Sequence, residues 1–368
     1  INLIDEFNNG AYYYKIYDDE TGEFIYSKGF DSYFKEYQVS ENAIEGVKRT
    51  YHETVILPYP KNKIKLSIEK RDSENKLSEI YSSIINPNDV MIITEQVADA
   101  SVEVTKSLFN GDPHSKVDVV ILSEGYSQTD HQKYIDDLKK FTAIFVKNEP
   151  YKSNKEKFNI YGVFKPSEDS GVDEPRAGIF KNTTLNSTFN SLGSERYLLT
   201  EDNKTVRDLA AFVPYDAIYI MVNHKRYGGG GIYNWTCTFT TDNQFQEYLF
   251  IHEFGHSFAG LADEYYTSAT AYDNFYKPSV ERVEPNITAL LDKENLKWKE
   301  FLAAGIEIPT PWEKEDFDKM DYAWQKERAK LNDNIAKLKR ENAAKEIINA
   351  AEIDYAEKDK AHSKIVDE

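Results

Sequence analysis

The sequence predicts an α+β chain in three parts: an N-terminal antiparallel β-sandwich over residues 1–107, an α/β domain over 108–311, and a helical segment over 312–368. Three observations carry this prediction. Short β-branched and aromatic runs alternate with turn clusters in the first part. A near-continuous apolar strand followed by an amphipathic helix opens the second. Lys, Glu, Ala and Asn dominate the third. At 368 residues the chain is also too long for one ordinary core.

In the first part, "AYYYKIY" and "EFIYSKGF" flank "DDETG", a hairpin signature, and "ETVILPYP", "KIKLSIEK", "SEIYSSII" and "VMIITEQ" read as further strands. Packing them as two sheets is the expected solution. The Gly, Asp and Pro of "LFNGDPHSK" mark the boundary. Beyond it, "KVDVVILSEGY" is a strand buried on both faces and "TDHQKYIDDLKKFTAIFVK" an amphipathic helix. "FNIYGVFKP", a short helix at "TVRDLAAFV", and the strand "DAIYIMVN" follow. In the last part Trp324, Leu331, Ile335 and Leu338 fall at three-to-four spacing, and the seam then fades. One long helix or a hairpin closing on the body both fit that pattern.

Composition removes some functions. Lys and Arg total 45 against 63 Asp and Glu, a net charge of −18, which repels phosphate backbones and anionic lipid, so nucleic acid is not an expected partner. A single cysteine, Cys237, excludes an intrachain disulfide and a cysteine-based zinc site. No run is long and apolar enough to span a membrane. The chain opens at Ile1 with no basic-then-apolar signal, which reads as a trimmed start.

The chemistry concentrates in "FIHEFGHSFAGLADEYY", residues 250–266. His252 and His256 are four apart, so on a helix they share a face with Cβ atoms about 5–6 Å apart, close enough for both to meet one zinc ion. Glu253 projects about 100° round the helix from His252. It flanks such an ion rather than binding it, as the general base of the H-E-x-x-H motif does. A catalytic zinc needs a third protein ligand and an open position. The pattern H-E-x-x-H-x-x-G-x-x-H ends its helix at the glycine. Here one extra residue precedes Gly260, and counting from that glycine places Asp263 in the third-ligand position. Glu264, one residue on, is the nearest rival, and Glu281 and Glu284 are more distant ones. The bland alternative is a surface helix with polar residues. Only 7 histidines are present, however, and two of them fall at ligand spacing among Phe250, Ile251, Phe254 and Phe258. Burying them there without a partner would be costly.

Nearby, the glycines of "YGGGGIYN" suit a rim loop, a strand edge that pairs with an extended peptide, or a flexible hairpin loop. His224 reads as a further ligand, a substrate contact or a plain loop histidine. Tyr265 and Tyr266 read as oxyanion contacts or as packing under the turn.

"HEFGHSFAGLADEY", preceded by "YGGGGIYN" and "KVDVVILSEGYSQTD", resembles the IgA-protease-type zinc metallopeptidases, the sixty-fourth metallopeptidase family. "GEFIYSKGFDSYFKEYQ" and "TVILPYPK" are similar to the β-rich N-terminal domain that accompanies it in gut-bacterial members. The resemblance implies a secreted or envelope-attached zinc endopeptidase of zincin (metzincin-like) fold acting on proteins or peptides; it does not fix the substrate, for which a host glycoprotein is one candidate. His252 and His256 match its ligands and Glu253 its base. The chain departs from the family after "HSKIVDE", where a glycine- and aromatic-rich closing tail is expected, and Met320 does not suit a Met-turn. That departure reads as truncation. Two other classes compete. One is an inert body whose sandwich binds a surface protein or glycan, which the intact Glu253 argues against. The other is an adaptor built on the terminal helix, which accounts for only the end of the chain.

Overall fold

The computed structural model describes residues 3–195, 197–264 and 277–367. The N-terminal part is built from β1 (Tyr12–Asp18), β2 (Phe24–Phe30), α1 (Tyr33–Gln38), α2 (Glu41–Ile44), β3 (Ile64–Arg71) and β4 (Leu77–Ile85). The strands form one antiparallel sheet in the order β2-β1-β3-β4. Its apolar face gathers Tyr14, Ile16, Ile64 and Leu66. The expected β-sandwich is therefore corrected: among the described residues a single four-stranded sheet stands here.

Two segments expected as strands explain the difference. Residues 53–60 join no ladder, with Val55 and Leu57 packed against the sheet's core. Pro58 and Pro60 supply no N–H to a neighbouring strand. Residues 90–96 form no strand, and Val90, Met91 and Ile93 face solvent. The aromatic-rich "YFKEYQ" is a helix instead, started by Ser32, whose side chain accepts the Lys35 N–H.

The second part comprises β5 (Glu103–Leu108), β6 (Val117–Glu124), α3 (His131–Lys147), β7 (Phe158–Phe164), β8 (Thr188–Phe189), β9 (Leu198–Leu199), α4 (Asn203–Ala210), β10 (Ala217–Val222), β11 (Gly229–Ile232), β12 (Thr236–Thr240) and α5 (Gln246–Ala259). Six of these strands make a mixed sheet in the order β11-β12-β10-β6-β7-β5, parallel through its centre with an antiparallel strand at each edge. β5 lies before the boundary expected at residue 108, yet it pairs with β7 and belongs to this sheet.

Successive strand residues point to opposite faces. On one face Val119, Ile121, Tyr219 and Phe239 meet Leu138, Phe141 and Phe145 of α3 and Phe250 and Phe254 of α5. On the other, Val120, Leu122, Ile218 and Ile220 meet Val206 and Leu209 of α4. Helices cover both faces of the central strands, which accounts for their unbroken apolar runs.

The third part is a helical hairpin, α6 (Lys314–Arg340) and α7 (Lys345–Asp367). Of the two forms that fit its sequence, the hairpin closing on the body is the one found. No helix among the described residues is long and apolar enough to cross a membrane.

Candidate metal centre

The helix α5 carries the centre because its two faces differ. Leu249, Phe250, Phe254 and Ser257 recur at helical spacing and are buried, while His252, Glu253 and His256 line the cleft. The strand β11 lies directly against this helix, and its glycines make the approach possible. A Cβ at Gly231 would stand 2.5 Å from the Glu253 carbonyl oxygen and 2.8 Å from His256 Cβ; at Gly229 it would meet Glu253 Oε1 at 2.7 Å. Of the readings of the glycine run, a strand is the one found, over Gly229–Ile232. The Glu253 side chain is buried over it.

The helix ends at Gly260, whose φ of 63° reverses the chain. The N–H of Gly260 returns to His256 O at 3.0 Å and that of Leu261 to Gly255 O at 3.2 Å. From the N-terminal part, Asn9 Nδ2 reaches the carbonyls of Ala259 and Gly260 at 3.3 and 3.4 Å. This reversal brings Asp263 back over the helix.

His252 Nε2 and His256 Nε2 are 3.0 Å apart, and Asp263 Oδ1 lies 3.2 and 3.1 Å from them. Ligand atoms about 2.0–2.1 Å from a tetrahedral zinc stand about 3.3–3.4 Å from one another, so the three atoms are spaced to share one ion. Asp263 Oδ1 is buried, and the groups that face it are the two imidazole nitrogens. His256 Nδ1 is 2.6 Å from Leu261 O. That contact holds the proton on Nδ1 and leaves the Nε2 lone pair for a metal. His252 Nδ1 contacts Tyr248 Oη at 3.2 Å. The donor set, two imidazoles and a carboxylate, suits zinc.

The electrostatics of the metal-free cluster agree. Burial works to lower the His256 pKa, but the Asp263 and Glu253 carboxylates outweigh it and lift it to about 9. Burial would raise the Asp263 carboxyl, and the two imidazoles instead hold it well below the carboxylate range.

The other candidates stand elsewhere. Among the described residues the converging group is His252, His256 and Asp263. Glu264 accepts from Asn286, Glu281 accepts from Thr288 and the Ala289 N–H, and Glu284 pairs with Arg282. His224 Nδ1 accepts from the Arg226 N–H, and its Nε2 lies 3.3 Å from Glu174. Tyr265 and Tyr266 lie outside the described residues. Sequence reasoning missed Asn9 and Asn286, which brace the turn, because a lone asparagine carries no positional signal.

The cluster opens into a cleft of about 1480 Å³. Its walls come from all three parts of the chain, among them Lys35 and Arg71, the strand β11, and Arg328 of α6.

A family model described as IgA Peptidase M64 matches residues 102–359. A second, described as Peptidase M64 N-terminus, matches residues 1–82. No curated protein matches the chain.

Proposed function

Because the chain belongs to the IgA Peptidase M64 family and is therefore a metallopeptidase, a hydrolase acting on proteins, we propose that it is a zinc-dependent endopeptidase of zincin (metzincin-like) fold. In this reading His252, His256 and Asp263 hold the ion and Glu253 is the general base. It works outside the cytoplasm, secreted or attached to the cell envelope, on protein or peptide substrates, with a host glycoprotein as one candidate. The convergence of two imidazole nitrogens and one carboxylate oxygen within hydrogen-bond distance of each other carries the reading.

Zinc, when bound, polarises a carbonyl oxygen and acidifies water. The chain supplies the rest. Glu253 sits one residue from His252 on the helix face bordering the cleft, where its carboxylate takes a proton from the attacking water and passes it to the leaving amine. Burial over Gly229 holds that carboxylate in place. The glycine strand β11 lines the cleft beside it and suits an extended peptide laid along the sheet edge.

Metal analysis with casein hydrolysis tests this on the wild type, Glu253→Ala and His256→Ala. Near-stoichiometric zinc is expected in the wild type and Glu253→Ala, and little in His256→Ala. Glu253→Ala is expected to lose about 10²–10⁴-fold in kcat. Undiminished turnover in Glu253→Ala, or a wild type that takes up no zinc, contradicts the proposal.

A further inference from the structure

The third ligand is the one member of the cluster that does not ride on a helix, and what holds it comes from a distant segment. Asn286 holds both backbone polar groups of Ala262, one from each flanking peptide: its Oδ1 accepts the Ala262 N–H at 2.8 Å and its Nδ2 donates to Ala262 O, also at 2.8 Å. The same Nδ2 reaches Glu264 Oε1 at 3.1 Å. The residues on both sides of Asp263 are thus tied to one side chain.

The loop bearing Asn286 is itself braced. Lys297 Nζ donates to the carbonyls of Arg282, Glu284 and Ile287, which uses all three ammonium protons, and it pairs with Glu281 at 3.3 Å. Glu281 also accepts from Thr288 and from the Ala289 N–H. Two charged groups therefore organise the loop around Asn286.

We propose that Asn286 is a positioning residue for the metal centre: by clamping the backbone N–H and C=O of Ala262 it fixes the Asp263 carboxylate where the two imidazoles can share an ion with it. This rests on Asp263 as the third ligand. Outer partners that orient a ligand typically contribute about 10–100-fold to metal affinity. The Ala262 backbone, freed of the clamp, would exchange its hydrogen bonds with water and let the carboxylate swing from the cluster.

The experiment measures zinc affinity by chelator competition, the visible spectrum of the cobalt(II)-loaded protein, and the thermal midpoint of the metal-free protein. It compares the wild type with Asn286→Ala, Glu264→Ala and Asp263→Ala. Asn286→Ala is expected to bind zinc about 10–100-fold more weakly. Its cobalt spectrum should move in the direction of that of Asp263→Ala, and its metal-free midpoint should stay near wild type. Glu264→Ala, which removes only the side-chain contact, is expected to keep wild-type affinity. If Asp263→Ala loses zinc and Asn286→Ala does not, the positioning role is overturned while the ligand assignment stands. If Asp263→Ala binds zinc like the wild type, the ligand assignment itself fails. A loss of affinity in Asn286→Ala matched by a fall in its metal-free midpoint also overturns the role, since it marks a general folding defect.

Discussion

A methyl group at residue 231 would stand 2.5 Å from the Glu253 carbonyl oxygen, closer than any real Cβ contact, and 2.8 Å from His256 Cβ. Neither neighbour can yield without moving the helix that carries His252 and His256. Gly231→Ala is therefore expected to cost about 1–3 kcal/mol, as overpacking does, and to lower zinc affinity with it. Wild-type melting and wild-type zinc binding in that variant would refute the tight contact. A second prediction concerns pH. In the metal-free protein His256 holds its proton up to about 9, and a metal must displace it. Zinc affinity is then expected to rise about tenfold per pH unit below that value and to level off above it. The raised pKa also has a stability consequence. It favours the metal-free fold fully below the unfolded value of about 6.5, and that contribution is lost as pH rises through about 9. The depressed Asp263 pKa acts in the opposite sense, contributing above about 3.9 and fading as pH falls. Chelator competition across a pH series checks the first claim, and a flat profile would contradict it. At this scale the sequence was informative where spacing constrains geometry: four residues between imidazoles, and a glycine that must reverse the chain. Asn286 had no such signature, because its partner lies 24 residues away at Ala262.

Among the elements, the hairpin meets the body at a buried carboxylate and at surface contacts around it. Glu174 lies 3.1 Å from Lys339 of α6, 3.4 Å from Arg226 and 3.3 Å from His224. Lys225 meets Glu352 of α7 at 2.6 Å. Burial would raise the Glu174 pKa, but His224, Lys339 and Arg226 outweigh it and hold it at about 2. Its contribution to stability is present above the unfolded value of about 4.3 and is lost as pH falls through about 2. Glu174→Gln leaves the cations facing a neutral amide. A loss of about 3–5 kcal/mol is expected, as for a broken buried pair. An unchanged thermal midpoint would show that the hairpin is held by other contacts. The central strands were readable from sequence because burial on both faces forces unbroken apolar runs. The N-terminal strands were only partly so. Residues 53–60 have strand-like composition, yet prolines and the lack of a partner keep them out of a ladder. Conversely α1 is rich in aromatics, and its Ser32 cap decides for helix. Composition reports how well a segment packs, whereas pairing depends on what lies beside it.

For the whole molecule, the cleft is a property of three parts together. The N-terminal part reaches the end of α5 through Asn9, across 250 residues of chain, and Tyr33 of α1 packs with Ile232 and Trp235 beside β11. No local pattern encodes contacts of that range, so the sequence supports a separate sandwich where the molecule has a single sheet built into the wall of the site. The six-stranded sheet sets α5 in place, the glycine strand brings it close, and the chain reversal at Gly260 returns Asp263 to the imidazoles. The central claim is that this arrangement holds one zinc ion between His252, His256 and Asp263. X-ray diffraction from zinc-soaked crystals, recorded on both sides of the zinc absorption edge, tests it most directly. The account predicts one strong anomalous peak within bonding distance of His252 Nε2, His256 Nε2 and an Asp263 carboxylate oxygen. A peak bound by other residues, or no peak between the two imidazoles, would contradict it.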